Sequence, residues 1–303
     1  MTNPYRVEGP ALISFSGGRT SAYMLHQILD AHDGRLPPDV HVCFANTGKE
    51  REETLRFVHE CGSRWGVDIR WLEFRSRLKS VPVAERFAEV GLNSASRRGE
   101  PFKLAIEAKQ AVPNAVQRWC TELLKILVLS SFMEAQGYPR WLNVVGLRAD
   151  EVRRAAKRIS QNDEGKFAWV TVMPLLRAGV TKRMIWKFWL GPNADPKSLT
   201  HPLPQGFDLG LYPYEGNCDA CFNKAREVLM FQERERPGSL SWWIAMEALS
   251  GARFVTEYSY ADLQRDVERQ PLLLPLDGRD TEYVAECGVS GTDHRIRCGK
   301  AAA

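Results

Sequence analysis

Apolar positions along the chain switch period repeatedly. Short strand-like runs, "ALISFS" at 11–16, "VHVCFAN" at 40–46 and "DIRWLEF" at 68–74, alternate with stretches of helical spacing at 21–30 and 52–65. A helix is predicted around Cys120 to Gln136, followed by strands "WLNVVGL" at 141–147 and "FAWVTVMPLL" at 167–176. This alternation predicts an α/β fold, a parallel sheet with helices on both faces in the Rossmann-like manner. From Pro192 to Gly216 the chain is rich in Pro and Gly and reads as a long loop. Helical patterns then return at 223–234, 240–249 and 261–270. The expected organisation is an α/β domain over 1–191 and a smaller, mostly helical C-terminal region over 192–303. The basic stretch Ser76 to Gly99 reads as irregular, either a mobile loop over a site or a solvated surface.

Composition narrows the class. The 303 residues are 44% hydrophobic, enough for one large core or two smaller ones. No apolar run approaches the ~20 residues that span a bilayer, and "MTNPYRVEGP" has no signal-peptide pattern. A soluble, cytoplasmic protein is expected. The net charge of +4 permits a nucleic-acid or polyphosphate partner without demanding one. The seven cysteines are odd in number, so metal binding or thiol chemistry is a better expectation than a disulfide framework.

The chemistry concentrates at a few corners. "SFSGGRTSAYMLH" turns from strand to helix through Gly17 and Gly18. Glycines admit close backbone approach, and loop and helix-start N–H groups point at whatever sits there. Ser16, Thr20 and Ser21 add hydroxyls and Arg19 a cation, which makes a phosphate cradle. A helix cap on a Gly turn is the plainer reading. "GNCDACFNK" holds Cys218 and Cys221 in a C-x-x-C that suits zinc, an iron–sulfur cluster or a redox pair. Cys43 and Cys61 read as small core residues, and the tryptophans at 186, 189, 242 and 243 as core or interface. The histidines show no ligand spacing.

"SFSGGRTS" resembles the PP-loop of the ATP pyrophosphatase superfamily. The chain as a whole resembles the phosphoadenosine phosphosulfate (PAPS) reductase family, in its phage and prophage subgroup. "FANTGKEREETL", "RWCTELLKI", "VVGLRADEVRR" and "MPLLRAGVTKRMIWKFW" match its further segments in order, over about 11–189. The resemblance implies a fold like the adenine nucleotide alpha hydrolases, with Ser16, Gly17, Gly18, Arg19, Thr20 and Ser21 holding the phosphates of ATP or PAPS. Asn46, Thr47 and Gly48 would lie by the ribose or adenine, and Gly146 against the nucleotide. Arg148 would clamp phosphate or sulfate. Thr20 replaces an Asp common in the family, which bears on magnesium use. Lys49 and Glu50, like Lys157 and Arg158, are expected in solvent.

The resemblance also joins Cys120 to Cys218 and Cys221 as ligands of a [4Fe–4S] cluster, with zinc as the alternative. Trp119 stands where a second Cys of a pair is usual. Cys287, in "AECGV", is the expected fourth ligand, with Cys298 as rival; Cys287 is alternatively a catalytic thiolate. Three functions follow. One is adenylation of a nucleic-acid acceptor followed by sulfur transfer. Another is reduction of PAPS or adenylylsulfate to sulfite. The last is a nucleotide-binding module without turnover. The first two require an electron or sulfur donor protein, and a homo-oligomer is compatible with all three.

Overall fold

The computed structural model describes residues 3–165, 167–191, 207–216 and 218–269. The architecture is α/β. Strands β1 (Ala11–Ser14), β2 (Val40–Asn46), β3 (Ile69–Phe74), β4 (Phe87–Val90), β5 (Trp141–Val144) and β6 (Trp169–Val172) form one sheet in the order β4-β3-β2-β1-β5-β6. All neighbours are parallel except β3 and β4. The order reverses beside β1, which has β2 on one side and β5 on the other. In open sheets of this kind ligands bind past the strands' C-terminal ends at that reversal.

Both faces are covered. One apolar cluster joins Ala11, Ile13 and Phe44 of the sheet to helices α1 (Arg19–Ala31) and α2 (Glu52–Trp65). On the other face lie α3 (Glu100–Lys109) and a long helical run. That run starts as α4 (Trp119–Thr121), passes through a π-helical segment (Glu122–Leu127) and ends as α5 (Val128–Ala135). Helix α6 (Val152–Asp163) precedes β6, and α7 (Pro174–Arg177) and α8 (Lys182–Leu190) follow it. Helices α9 (Arg226–Glu235), α10 (Ser241–Ser250) and α11 (Tyr260–Arg269) complete the described chain. Trp243, Phe254 and Tyr260 belong to the same buried cluster as Leu12, Leu72 and Phe132, so these last helices and the sheet share one core.

The strands at 11–74 and the three last helices sit where the apolar pattern places them. The final strand is shorter, because Pro174 opens α7. The segment 76–99 is neither loop nor solvated surface throughout. Its "FAEV" pairs antiparallel with β3, and the backbone amides of Arg75 and Ser76 donate to Arg86 O at 2.9 and 3.2 Å. Phe87 and Ala95 are buried. Four residues among arginines carry too little apolar pattern to announce a strand; pairing with β3 supplies the order. Cys43 and Cys61 are fully buried core residues, as expected.

Candidate nucleotide cradle and cysteine pocket

The 16–21 loop lies at the C-terminal end of β1. Gly17 has φ +75, and a Cβ there would stand 2.7 Å from Thr54 Cγ2 and 3.0 Å from Val58 Cγ2. Gly17 therefore lets the loop pack on α2. Gly18 is different: it is extended, with φ −99, and a Cβ would meet nothing closer than Ser16 Oγ at 3.7 Å. Its open side is the side an anion can approach. The Ser21 hydroxyl shapes the loop from within, accepting from Ser16 N at 3.2 Å and donating to Gly18 O at 2.9 Å. Helix α1 starts here, and the first N–H groups of any helix lack intrahelical partners and attract anions.

Arg19 opens that helix, but its guanidinium is engaged elsewhere. Nε and Nη2 donate to the two Asp208 oxygens at 2.7 and 2.6 Å, and Nη1 donates to Leu211 O at 2.7 Å. The same group lies 4.5 Å from the Trp186 ring centroid. Both Arg19 and Asp208 are buried. The side chain pins the 207–211 segment against α1. Thr20 faces the other way and accepts from Arg148 Nη1 at 3.2 Å.

At the end of β2, Asn46 is fully buried and all of its amide is used. Nδ2 donates to Glu73 Oε1 at 2.7 Å and Ser96 O at 2.9 Å, and Oδ1 accepts from Gly48 N at 3.1 Å. Glu73 also receives the Ser96 amide and hydroxyl, at 2.6 and 2.8 Å. Asn46 is thus a strut between β2, β3 and the 91–99 segment. Gly48 has φ +77 and presses on Gly99 and Pro101. Glu50 is not solvated surface: its carboxylate receives the Thr47 amide at 2.9 Å and the Thr47 hydroxyl. Burial pushes the Glu50 pKa up, against the pull of Lys125 and the Thr47 donors. Lys49 stacks over Trp242, 5.0 Å from the ring centroid, and burial lowers its pKa.

Gly146 follows β5 and backs onto α1; a Cβ would stand 3.5 Å from Ser21 Cα and 3.6 Å from Thr20 Cγ2. Arg148 is buried beside it. Nε donates to Asp150 Oδ1 at 2.9 Å, and its backbone N–H donates to Glu151 Oε2 at 2.9 Å. Glu151 also pairs with Arg154. Arg158 is buried, contrary to its expected exposure, and donates to Gln161 Oε1 at 2.5 Å. Burial, with Arg154 nearby, pushes its pKa down to about 10. Val152 and Ile159 of α6 are exposed instead, beside Arg153 and Ser160.

Cys120, Cys218 and Cys221 line a single pocket together with Arg118, Thr121 and Lys125. Cys218 and Cys221 are buried and Cys120 is partly so. Thr47 Oγ1 lies 3.5 Å from Cys218 Sγ, which brings the end of β2 to the pocket wall. The C-x-x-C turn is held on all sides. Asp219 N donates to Lys49 O at 2.7 Å, Trp243 Nε1 to Asp219 O at 3.1 Å, and Tyr260 Oη to Ala220 O at 2.7 Å. Ala220 takes φ +48 inside this frame, a conformation that a non-glycine residue adopts only under constraint. Buried Lys224 donates to Glu215 O at 3.3 Å. Burial lowers its pKa to about 8, against the pull of Cys221, Asp219, Cys218 and Glu215.

The donor set of the pocket, three soft thiols, suits iron or zinc. Among the described residues no three His, Cys, Asp or Glu side chains are grouped closely enough to hold a metal ion. Cys287 and Cys298 lie outside the described residues. Glu73, Asp208 and Arg118 were not candidates on sequence. Glu73 carried a signal, a carboxylate in the apolar half of a strand, next to its last residue. Asp208 carried none, because its partner lies 189 positions away.

The family model for the phosphoadenosine phosphosulfate reductase domain matches residues 10–207. The chain is 30% identical over 205 residues to the uncharacterized protein MJ0066 of Methanocaldococcus jannaschii, an alignment covering 67% of this chain and 35% of that protein. The chain thus spans about a third of that relative's length. The uncharacterized nin region protein ORF290 of Escherichia phage lambda is 25% identical over 239 residues, covering 75% of this chain and 70% of the phage protein. Among solved structures, the U34-tRNA thiolase NcsA from Methanococcus maripaludis with its [4Fe-4S] cluster matches with a TM-score of 0.30 and 13% identity. That match covers 96% of this chain and 80% of the other.

Proposed function

Because the chain belongs to the phosphoadenosine phosphosulfate reductase domain family, we propose that it is an enzyme that binds ATP at 16–21 and couples adenylation of a nucleic acid to sulfur transfer. The observation that carries this reading is the junction of two sites. Arg148 touches Thr20 of the cradle and binds Glu151 through its backbone N–H, and at the neighbouring strand end Thr47 Oγ1 lies 3.5 Å from Cys218 Sγ on the cysteine pocket. This contact supports placing phosphate chemistry and thiol chemistry at one edge of the sheet.

In this reading the amides of Gly17 and Gly18 and the start of α1 receive the phosphates, and Arg148 bears on the reacting group. An acceptor oxygen attacks the α-phosphorus and pyrophosphate leaves; sulfur then displaces AMP. Cys120, Cys218 and Cys221 would hold the metal centre, [4Fe–4S] by preference and zinc otherwise, with Cys287 as fourth ligand. Such a centre would supply thiophilic metal ions to the sulfur donor. Exposed Arg75, Arg77, Lys79 and Arg98 leave the same edge of the sheet and support a polyanionic acceptor.

The test is turnover by anaerobically purified protein. ATP with bulk tRNA or DNA should give AMP, pyrophosphate and sulfur in the nucleic acid. Sulfite from PAPS or adenylylsulfate, without AMP and pyrophosphate from ATP, would replace this reading with the reductive one. Nucleotide binding without any product would leave a binding module.

A further inference from the structure

The outer surface of α8 combines rings with cations. Met184 and Phe188 are 43% and 42% exposed, one turn apart, and Arg183 and Lys187 stand exposed in the adjoining row. Phe188 is fixed by two rings of α1, Tyr23 at 5.0 Å and His26 at 5.2 Å between centroids, both edge-on. His26 in turn meets Trp65 of α2 at 5.3 Å, so the ring cluster runs from α8 across α1 to α2. A ring fixed in this way loses little freedom when something stacks on it. The charge is one-sided. Between Glu164 and Asp195 the chain has no Asp or Glu and five Lys and Arg, three of them on α8. Asp30 of α1 and Glu60 of α2 are engaged, with His26 at 3.2 Å and with Arg56 at 3.0 Å. Such a field attracts polyanions. Exposed rings among cations suit a single strand, whose phosphates meet the cations and whose bases offer flat faces that a duplex keeps stacked on each other. A lipid surface fits less well, because two exposed apolar side chains make too small a face to insert.

We infer that α8 is a docking strip for an unpaired stretch of nucleic acid. A base lies on Phe188 with Met184 beside it, and the flanking phosphates lie on Arg183 and Lys187. The strip is tied to the 16–21 loop at both ends. Lys182 N donates to Asp150 Oδ2 at 3.0 Å, Asp150 Oδ1 accepts from Arg148, and Arg148 donates to Thr20. At the other end of α8, Trp189 Nε1 donates to Arg19 O at 3.0 Å. A strand lying on α8 is therefore led to the crevice at the end of β1. The contact is additional to the basic residues around β4. As the acceptor's entry path the strip rests on the function proposed above; as a binding surface it does not.

The probes are fluorescein-labelled oligouridylate and oligothymidylate, and the readout is fluorescence anisotropy with the full chain in the absence of ATP. At least one of them should bind more tightly than a duplex of equal length. Phe188→Ala and Phe188→Leu should each weaken that binding about tenfold, whereas Phe188→Trp should keep it, which separates stacking from plain apolar contact. The double variant Arg183→Gln, Lys187→Gln should lower the slope of log affinity against log salt by about 1.4, the loss expected for two phosphate contacts on a single strand. Both cations are exposed, so this variant tests the strip even if the Phe188 variants lose stability. Equal affinity in wild type, Phe188→Leu and the double variant would overturn the strip. So would a preference for duplex, or binding to phosphatidylserine vesicles without binding to either oligonucleotide. Oligonucleotide binding through α8 without turnover would keep the strip and remove the enzymatic reading. Turnover on nucleic acid untouched by the Phe188 and charge variants would do the opposite.

Discussion

Arg148 Nη1 donates to Thr20 Oγ1 at 3.2 Å across 128 positions of sequence, joining the loop after β5 to the loop after β1. The contact closes the crevice where the strand order reverses. Arg148→Lys should lose both this bond and the one to Asp150, because an ammonium cannot span the fork. Calorimetry should show ATP affinity lowered on the order of ten- to a hundredfold. Unchanged affinity would remove Arg148 from the site.

The two adjacent glycines should separate cleanly. Gly17→Ala puts a Cβ 2.7 Å from Thr54 at φ +75, so it should cost about 2–5 kcal/mol of stability. Gly18→Val should leave thermal stability nearly intact and abolish ATP binding. A destabilised Gly18→Val, or one that binds ATP normally, would contradict the open side of the cradle.

Arg19 and Asp208 are an ion pair with side chains 7% and 9% exposed. Asp208→Asn leaves a buried guanidinium short of charge and should cost about 3–5 kcal/mol in urea denaturation. Its effect on ATP affinity should be small by comparison. A large affinity loss without destabilisation would return Arg19 to the phosphates.

Single Ser substitutions at Cys120, Cys218 and Cys221 should each lower iron content and visible absorbance of anaerobically purified protein. Cys43→Ser and Cys61→Ser should not. Zinc in place of iron would change the metal and keep the site; wild-type protein without any metal would end the reading.

Stability should fall on acidification partly through His41, which burial first, then Arg70, holds below the ordinary value of 6.5. The unfolded chain therefore binds the proton more readily between that lowered pKa and 6.5, so stability rises with pH through the window and is lost below it. His32 shifts the same way, so His41→Phe should flatten the slope without abolishing it. An unchanged slope from pH 5 to 7 would assign the acid sensitivity elsewhere.

Much of the fold was legible because the central strands β1 and β2 are largely apolar and buried, and Gly or Asn marks their ends. The glycine turn at 16–21 was legible for the same local reason. Strand β4 was not, since four residues carry little pattern and depend on β3. Arg158 misled because single positions of α6 break the usual pattern, with Val152 67% exposed and Arg158 6% exposed. The role of Arg19 depends on what stands opposite it, which no local window contains. The three cysteines are gathered only by the packing of α10 and α11 around the C-x-x-C turn.

That packing sets an order of events. Cys120 belongs to the helical run on the sheet, whereas Cys218 and Cys221 stand in a turn gripped by Trp243 and Tyr260, still further along the chain. During synthesis the 16–21 loop can therefore take shape well before the thiols meet. A centre bridging the three thiols would need that turn docked beside the helix carrying Cys120, so holding it would tie the last helices to the sheet.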